Sequence, residues 1–346
     1  MKNLMNLKSN NLFEKGTKNS ITDVSGVRVG HYTLDTNDNK TGITSIIPHS
    51  GDIFKQKFVA ASHVINGFGK SVGLVQIEEF GSIETPILLT NTFGIGTCLN
   101  AVTKKTLEDN PEIGDTTGTV NSVVAECNDG VLNDIRKMSL TEANALEALH
   151  NASEYFKQGA IGAGRGMVCY GLKGGIGSAS RLINLYNKDC TLGILVLSNF
   201  GSTENLNVYG NKIGQELNEK LGLSSSTKDK GSIIIVLATD IPLSAMQLKR
   251  VLKRTQSGIA RTGGYTGNGS GEIAIGFSTA NTINHYPSET TIKLEMIHDD
   301  LLDPVFSAAV EATEEAIINS LMFSNRTIGR NDKIIHSLNE FIEIYP

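Results

Sequence analysis

The chain has 346 residues, of which 39% are hydrophobic and 19% charged, a composition typical of a folded protein with a sizeable core. Its formal net charge of −5 gives no electrostatic reason to expect a nucleic acid as partner. No apolar run approaches the roughly 20 residues of a membrane span. The polar N-terminus lacks the features of a secretory signal, so we expect a cytoplasmic protein that does not contact a membrane.

The first half of the chain predicts mainly strands. Residues 1–20, rich in Asn and Lys, are expected to form a flexible arm before a single domain at 21–346. Apolar runs bounded by Gly, Asn and Asp then predict strands. These runs lie at 27–32, 43–48, 59–65, 72–77, 87–91, 120–126, 167–172 and 192–197. Periodic apolar residues predict a helix at 141–157.

The second half alternates helices and strands in blocks. Residues 222–231, GLSSSTKDKG, form the most linker-like interior stretch, and the β-branched run at 232–240 predicts a buried strand. Helices are expected at 211–221, 242–262 and 301–323, and strands at 272–278 and 291–297. The sequence does not show the regular alternation of single strands and helices that is typical of a doubly wound fold. The sequence therefore predicts an α+β protein with helices outside and sheets inside.

No residue pattern indicates a metal or a nucleotide. Cys98, Cys127, Cys169 and Cys190 show no CxxC spacing, and the seven histidines are scattered. The glycine-rich stretch 159–181 contains neither GxGxxG nor GxxxxGK[ST], so backbone packing near a substrate is favoured over phosphate binding. We expect no metal site.

The junction between Gly231 and Ser232 carries the strongest chemical signal. A polar loop ends in glycine, and serine is the first residue of the buried strand. The Ser232 hydroxyl could attack the Gly231 carbonyl, because glycine tolerates a strained backbone and adds no side-chain clash. Cleavage would release an α-amine with a pKa of about 7.7–8.0, a suitable base for the hydroxyl of the same residue. Taken alone, the dipeptide is more typical of an ordinary loop end.

A second candidate pair is Ser270 and Glu272 in the stretch GNGSGEIAIGF. Residues two apart in extended backbone point the same way, so the carboxylate could orient the hydroxyl or take its proton. The competing interpretation is a glycine-rich hairpin with a solvated glutamate.

Two further candidates sit where apolar strands end. Glu126 could hold a substrate ammonium by a charge-assisted hydrogen bond, and the Asn199 amide could donate to an oxyanion. The competing interpretation is that Glu126 and Asn199 belong to ordinary turns, one at Asn128–Gly130 and the other before Gly201.

Several separate stretches together resemble the L-aminopeptidase/D-alanine-esterase-amidase (DmpA-type) family, which includes the β-peptidyl aminopeptidases. The similarity extends from about residue 21 to about residue 325. The strings that carry it include ITDVSGVRVGHY at 21–32, PILLTNTFGIGT at 86–97, VVAECNDGVLND at 123–134, GAGRGMVCYGLKGGIGSASR at 162–181, LVLSNFG at 195–201, GSIIIVLATDIPL at 231–243 and ARTGGYTGNGSGEIAIGFSTAN at 260–281.

The resemblance implies a layered α/β/β/α sandwich of the N-terminal-nucleophile hydrolase type. It implies self-cleavage at Gly231–Ser232 into chains 1–231 and 232–346, with Ser232 as nucleophile. Ser270 and Glu272 would support proton transfer, Asn199 the oxyanion, and Glu126 the ammonium of a small peptide or amide with a free N-terminus. The family suggests no cofactor, and a homo-oligomer that is often a tetramer of two-chain protomers.

Two alternatives stay open on the sequence. An ornithine-acetyltransferase-like enzyme shares the general architecture but uses threonine as nucleophile, so Ser232 disfavours it. An uncleaved, inactive binding protein of the same fold is the other alternative. Activity as a self-processing serine aminopeptidase or amidase is the preferred prediction.

Overall fold

The computed structural model describes residues 5–9, 11–222 and 231–345. The helices are α1 Leu74–Phe80, α2 Ile95–Asp109, α3 Glu142–His150, α4 Gly214–Leu221, α5 Ala245–Arg261 and α6 Leu302–Met322. The strands are β1 Met5–Lys8, β2 Arg28–Asp35, β3 Lys40–Ile47, β4 Gln56–Asn66, β5 Ser82–Ile83, β6 Ile87–Asn91, β7 Val123–Cys127, β8 Val168–Cys169, β9 Leu172–Lys173, β10 Gly175–Leu185, β11 Lys188–Asn199, β12 Asn207–Val208, β13 Asn211–Lys212, β14 Ser232–Thr239, β15 Gly271–Asn284, β16 Thr327–Ile328, β17 Ile334–Ile335 and β18 Ile342–Tyr345. Among these residues, no helix combines the length and the apolarity needed to cross a bilayer.

Two mixed sheets form the centre of the molecule. The larger has the strand order β10-β11-β14-β15-β4-β5, in which only β14 and β15 run parallel. The smaller has the order β2-β3-β6-β7, in which only β6 and β7 run parallel. The predicted strand at 232–240 is thus confirmed as β14, a central strand with neighbours on both sides.

Three apolar clusters show how these sheets are layered. Along β14, Ile233, Ile235 and Leu237 pack in the cluster that includes residues of α5 and α6. The alternate residues Ile234 and Val236 pack against the inner face of the smaller sheet. A third cluster joins the outer face of the smaller sheet to α2 and α3. The predicted α/β/β/α sandwich is confirmed, because each apolar face of each sheet is covered by a different layer.

Some local predictions were wrong. Residues 72–77 were predicted as a strand, but α1 begins at Leu74 after Gly73, whose φ of 86° suits glycine. The helix predicted at 141–157 ends at His150, and 291–297 belongs to no strand of the described chain. Helix α2 and strand β10 were missed. The predicted linker 222–231 lies largely outside the described residues.

The N-terminal residues contact the rest of the chain at two places. Strand β1 pairs in parallel with β18. Further along, the Lys15 ammonium lies 2.7 Å from a Glu315 carboxylate oxygen on α6, and Asn19 donates to the same oxygen at 2.9 Å. Buried Arg181 on β10 pairs with Glu315 and Glu311, so this part of the chain shares an ionic cluster with β10 and α6.

Candidate active site

Ser232 opens β14 at the point where three strands of the larger sheet meet. Its register partners are Asn199, the last residue of β11, and Gly271, the first residue of β15. Only 7% of Ser232 is exposed. By strand alternation its side chain lies on the face of Ile234, which packs between the two sheets.

Two donors converge on the carbonyl oxygen of Gly231. The Ser232 hydroxyl donates to it at 2.7 Å, and the backbone N–H of Gly271 donates at 3.0 Å. The hydroxyl is therefore in contact with the peptide group that the sequence predicts to be cut. The N–H of Gly271 occupies the place where a donor would stabilise negative charge on that oxygen.

Ser270 and Glu272 flank Gly271, and both are fully buried. The Ser270 hydroxyl donates to a Glu272 carboxylate oxygen, so the structure brings the predicted pair into contact. Asn66, opposite Glu272 in β4, donates its amide to the carbonyl oxygens of Gly267 and Ser270. This contact holds the turn that leads into β15.

The side-chain amide of Asn199 is fixed at both ends. Its Oδ1 atom accepts from the backbone N–H of Val168 at 2.9 Å, and its Nδ2 atom donates to the carbonyl oxygen of Asn128 at 3.0 Å. An amide nitrogen carries two N–H groups, so the second can serve another acceptor. The structure places this amide on the strand next to Ser232, and its role at the oxyanion stays a prediction.

Glu126 lies on the other sheet and faces away from β11. Val123, Ala125 and Cys127 of β7 point between the sheets, and the Cys127 thiol lies 3.4 Å from the carbonyl oxygen of Leu197. Glu126 therefore points to the opposite face. There its carboxylate accepts from the Lys70 backbone N–H at 3.0 Å and from the Thr92 hydroxyl.

The loop 66–70 links Glu126 to the nucleophile and was missed in the sequence. It begins at Asn66 beside Glu272, passes Phe68, and reaches Glu126 through the N–H of Lys70. A Cβ atom built on Gly271 would overlap the Phe68 carbonyl oxygen, so this loop lies directly on the start of β15. At Phe68 and Lys70 these contacts are made by backbone groups, which the residue types do not reveal.

A second missed residue is Lys173, which is fully buried. Its ammonium donates to three carbonyl oxygens, those of Gly164, Met167 and Gly174, at 2.7–2.9 Å. Met167 precedes Val168, whose N–H holds the Asn199 amide. The lysine therefore fixes the backbone on which Asn199 depends.

Burial shapes the acid–base properties of the turn beside Asn199. The Asp129 carboxyl is fully buried, and desolvation raises its pKa to about 6 although the Asn133 amide donates to it at 3.0 Å. Burial also raises the pKa of the Cys127 thiol well above its ordinary value.

Within residues 5–9, 11–222 and 231–345, no group of three His, Cys, Asp or Glu side chains is placed to bind a metal ion.

Four layers around two sheets, with a serine at the first position of a central strand, define the class of N-terminal-nucleophile hydrolases. Known proteins support this classification. The model of Peptidase family S58 matches residues 19–335. The chain therefore belongs to peptidase family S58, and it is a hydrolase of the aminopeptidase type that acts on peptide or amide bonds.

Similar proteins span nearly the whole chain. The beta-peptidyl aminopeptidase BapA of Sphingosinicella microcystinivorans is 37% identical over 345 residues, which cover 93% of this chain and 86% of the relative. The crystal structure of the PH0078 protein from Pyrococcus horikoshii OT3 matches with a TM-score of 0.90 at 47% identity, covering 95% of this chain and 94% of that one. The L-aminopeptidase D-Ala-esterase/amidase from Ochrobactrum anthropi, described as a prototype of the serine aminopeptidases and a variant of the Ntn hydrolase fold, matches with a TM-score of 0.88 at 35% identity, covering 95% and 93%.

Proposed function

We propose that Ser232 first cleaves its own peptide bond to Gly231 and then serves as the N-terminal nucleophile of an aminopeptidase. One observation carries this proposal: the Ser232 hydroxyl and the Gly271 N–H meet at the same carbonyl oxygen of Gly231. Cleavage there would give chains of 231 and 346 − 231 = 115 residues.

Self-cleavage would proceed as an N-to-O acyl shift. The Ser232 oxygen adds to the Gly231 carbonyl carbon, and the hydroxyl proton passes to the Ser270–Glu272 pair, which flanks the Gly271 N–H that contacts the same carbonyl oxygen. The Gly271 N–H stabilises the resulting oxyanion. The C–N bond then breaks, the amine takes a proton, and water hydrolyses the Gly231 ester. The α-amine freed on Ser232 has a reference pKa of about 7.7–8.0.

Substrate hydrolysis would reuse the same atoms. Ser232 attacks the first carbonyl of a small peptide, amide or ester, and its proton is handled by its own amine with Ser270 and Glu272. Asn199, held by Val168 and Asn128, would donate to the oxyanion. We assign Glu126 to the substrate ammonium, because it is a carboxylate held at the end of the loop that crosses Gly271.

Two further proposals concern location and assembly. We infer that the protein acts in the cytoplasm. The resemblance to the family supports a homo-oligomer, a tetramer of two-chain protomers. Because two relatives are named for β-peptides, a substrate screen should include β-amino acyl amides beside those of L- and D-residues.

Intact-mass measurement of freshly purified protein tests the proposal directly. The native chain should separate into the two predicted fragments and release nitroaniline from aminoacyl nitroanilides. Ser232→Ala should remain one chain without activity, whereas Ser232→Thr or Ser232→Cys can retain some cleavage. Ser62→Ala, which removes another buried strand hydroxyl, is the matched control and should behave as the native protein. An uncut, inactive native chain would refute the proposal.

A further inference from the structure

The segment 291–297 is hydrogen-bonded to the body of the protein along one side only. The backbone N–H of Glu295 donates to the Asn281 side chain at 2.8 Å, and the Asn281 amide donates back to the Glu295 carbonyl at 2.8 Å. Two residues on, the Ile297 N–H donates to the Pro242 carbonyl at 2.9 Å, and Gln247 donates to the Ile297 carbonyl at 2.9 Å. Residues 295 and 297 thus use their backbone groups towards the body of the protein.

The intervening residues present their backbone outwards. In extended chain the N–H and C=O groups of residues i and i+2 share one edge, so Ile292, Leu294 and Met296 form the opposite edge from Glu295 and Ile297. Within the described chain these three residues make no backbone hydrogen bond. The edge they form is therefore available for pairing.

Their side chains are also uncovered. Ile292, Leu294 and Met296 are 62%, 49% and 57% exposed, and all of residues 286–296 are exposed. An open edge that carries large apolar side chains is prone to pair with another strand, and proteins normally cover it. The described chain contains nothing that covers this one.

The sequence of the segment is complementary to itself. In an antiparallel pair about a two-fold axis at Leu294, Lys293 lies opposite the partner's Glu295, and Ile292 lies opposite the partner's Met296. The pair therefore matches charge with opposite charge and apolar with apolar. In the same register, Leu294 forms a hydrogen-bonded pair with Leu294 of the second copy. Such a pair uses the outward N–H and C=O groups of Leu294, which are free in the single chain.

We propose that 291–297 is an interface between two copies of this chain, which add their outer edges to each other as an antiparallel two-stranded ribbon. The interface is isologous, as closed two-fold dimers require. It goes beyond the proposed catalytic function and does not depend on cleavage at Ser232.

Cross-linking through a single cysteine tests the register. Leu294→Cys should form a covalent dimer under mild oxidation, because hydrogen-bonded pairs place Cα atoms about 5.5 Å apart, within the disulfide range of about 4.4–6.8 Å. Ile292→Cys is the matched control: its copies would lie about 14 Å apart, four residue rises along the ribbon. The native cysteines are buried and should not interfere. Equal cross-linking of both variants would overturn the proposal.

Light scattering on size-exclusion fractions tests the contact itself. Leu294→Pro removes an outward N–H without removing any hydrogen bond of the single chain, so the mass of the assembly should fall to half. Thr291→Pro alters the inward edge and should leave the mass unchanged. A native chain that is monomeric, or an assembly whose mass is unaffected by Leu294→Pro, would contradict the interface.

A charge swap distinguishes a loss of pairing between the two copies from a local disruption of the segment 291–297. Lys293→Glu or Glu295→Lys alone should weaken association by about 3- to 30-fold, since two symmetry-related pairs become like-charged. The double variant restores opposite charges across the ribbon and should recover native association. A double variant as weak as the single ones would count against this register.

Discussion

The backbone of Gly231 lies so close to Asn199 that a Cβ atom on the glycine would overlap the Asn199 carbonyl group. Asn199 and Ser232 are register partners, so the residue before the nucleophile is pressed against the neighbouring strand. Glycine is therefore required at the proposed cleavage site by packing, in addition to its tolerance of a strained backbone.

Gly231→Ala should slow self-cleavage by at least about tenfold, because displacement of the junction by a fraction of an ångström separates the hydroxyl from its carbonyl. The fraction of cut chain, followed by intact mass over time, measures the effect. Gly96→Ala is the control, since a Cβ there meets no atom within 4 Å. Cleavage of Gly231→Ala at the native rate would show that this packing is unimportant.

Ser270 and Glu272 should act as a unit. Because their buried side chains are hydrogen-bonded to each other, Ser270→Ala and Glu272→Gln should each lower kcat/KM by about 10²–10⁴, the usual contribution of general acid–base groups. The double variant should be little worse than either single one. Ser278→Ala, a buried hydroxyl further along β15, should keep native kinetics. Additive losses would contradict a coupled pair.

Local patterning predicted the parts of this site that depend on spacing along one chain. Every residue from Ile233 to Ala238 is apolar, as expected of a strand that is buried on both faces, and β14 is such a strand. The two-residue spacing of Ser270 and Glu272 predicted their contact. The sequence also predicted a strand at 291–297, and this was wrong, because no neighbouring strand of the described chain pairs with it.

The parts of the site and fold that the sequence did not predict depend on contacts between distant backbone segments. Residue types alone do not encode such contacts. Lys173 has carbonyl groups as partners, and the loop at Phe68 reaches Gly271 through its carbonyl oxygen. The apolar run 72–77 predicted a strand because it is short and β-branched. A glycine with positive φ instead begins α1, and only tertiary packing distinguishes the two outcomes.

Lys173→Met should destabilise the protein and impair catalysis together. Three carbonyl oxygens need three N–H donors, which only the ammonium form supplies, although burial lowers the pKa of Lys173 well below its ordinary value. Methionine would leave those carbonyls without donors, at a cost of about 3 kcal/mol or more in unfolding free energy. Chemical denaturation measures this cost, with exposed Lys188→Met as control. A fall in kcat at constant KM would show that Asn199 has been displaced.

Asp129 predicts how stability depends on pH. Its pKa is raised from 3.8 to about 6 in the folded chain, chiefly by burial, so the folded state holds the proton more tightly than the unfolded state. The folded protein should therefore lose stability as pH rises from about 4 to about 6, by up to ~3 kcal/mol from this group. Asp129→Asn removes the ionisation and keeps the shape of the side chain.

The variant should consequently be more stable than the native chain at pH 7.5 and equal to it at pH 4. Urea denaturation at both pH values, performed on the Ser232→Ala background so that no chain is cut, gives the two free energies of unfolding. A stability difference that stays constant between pH 4 and pH 7.5 would show that Asp129 titrates normally. The turn that accepts the Asn199 amide through Asn128 would then be held by its hydrogen bonds alone.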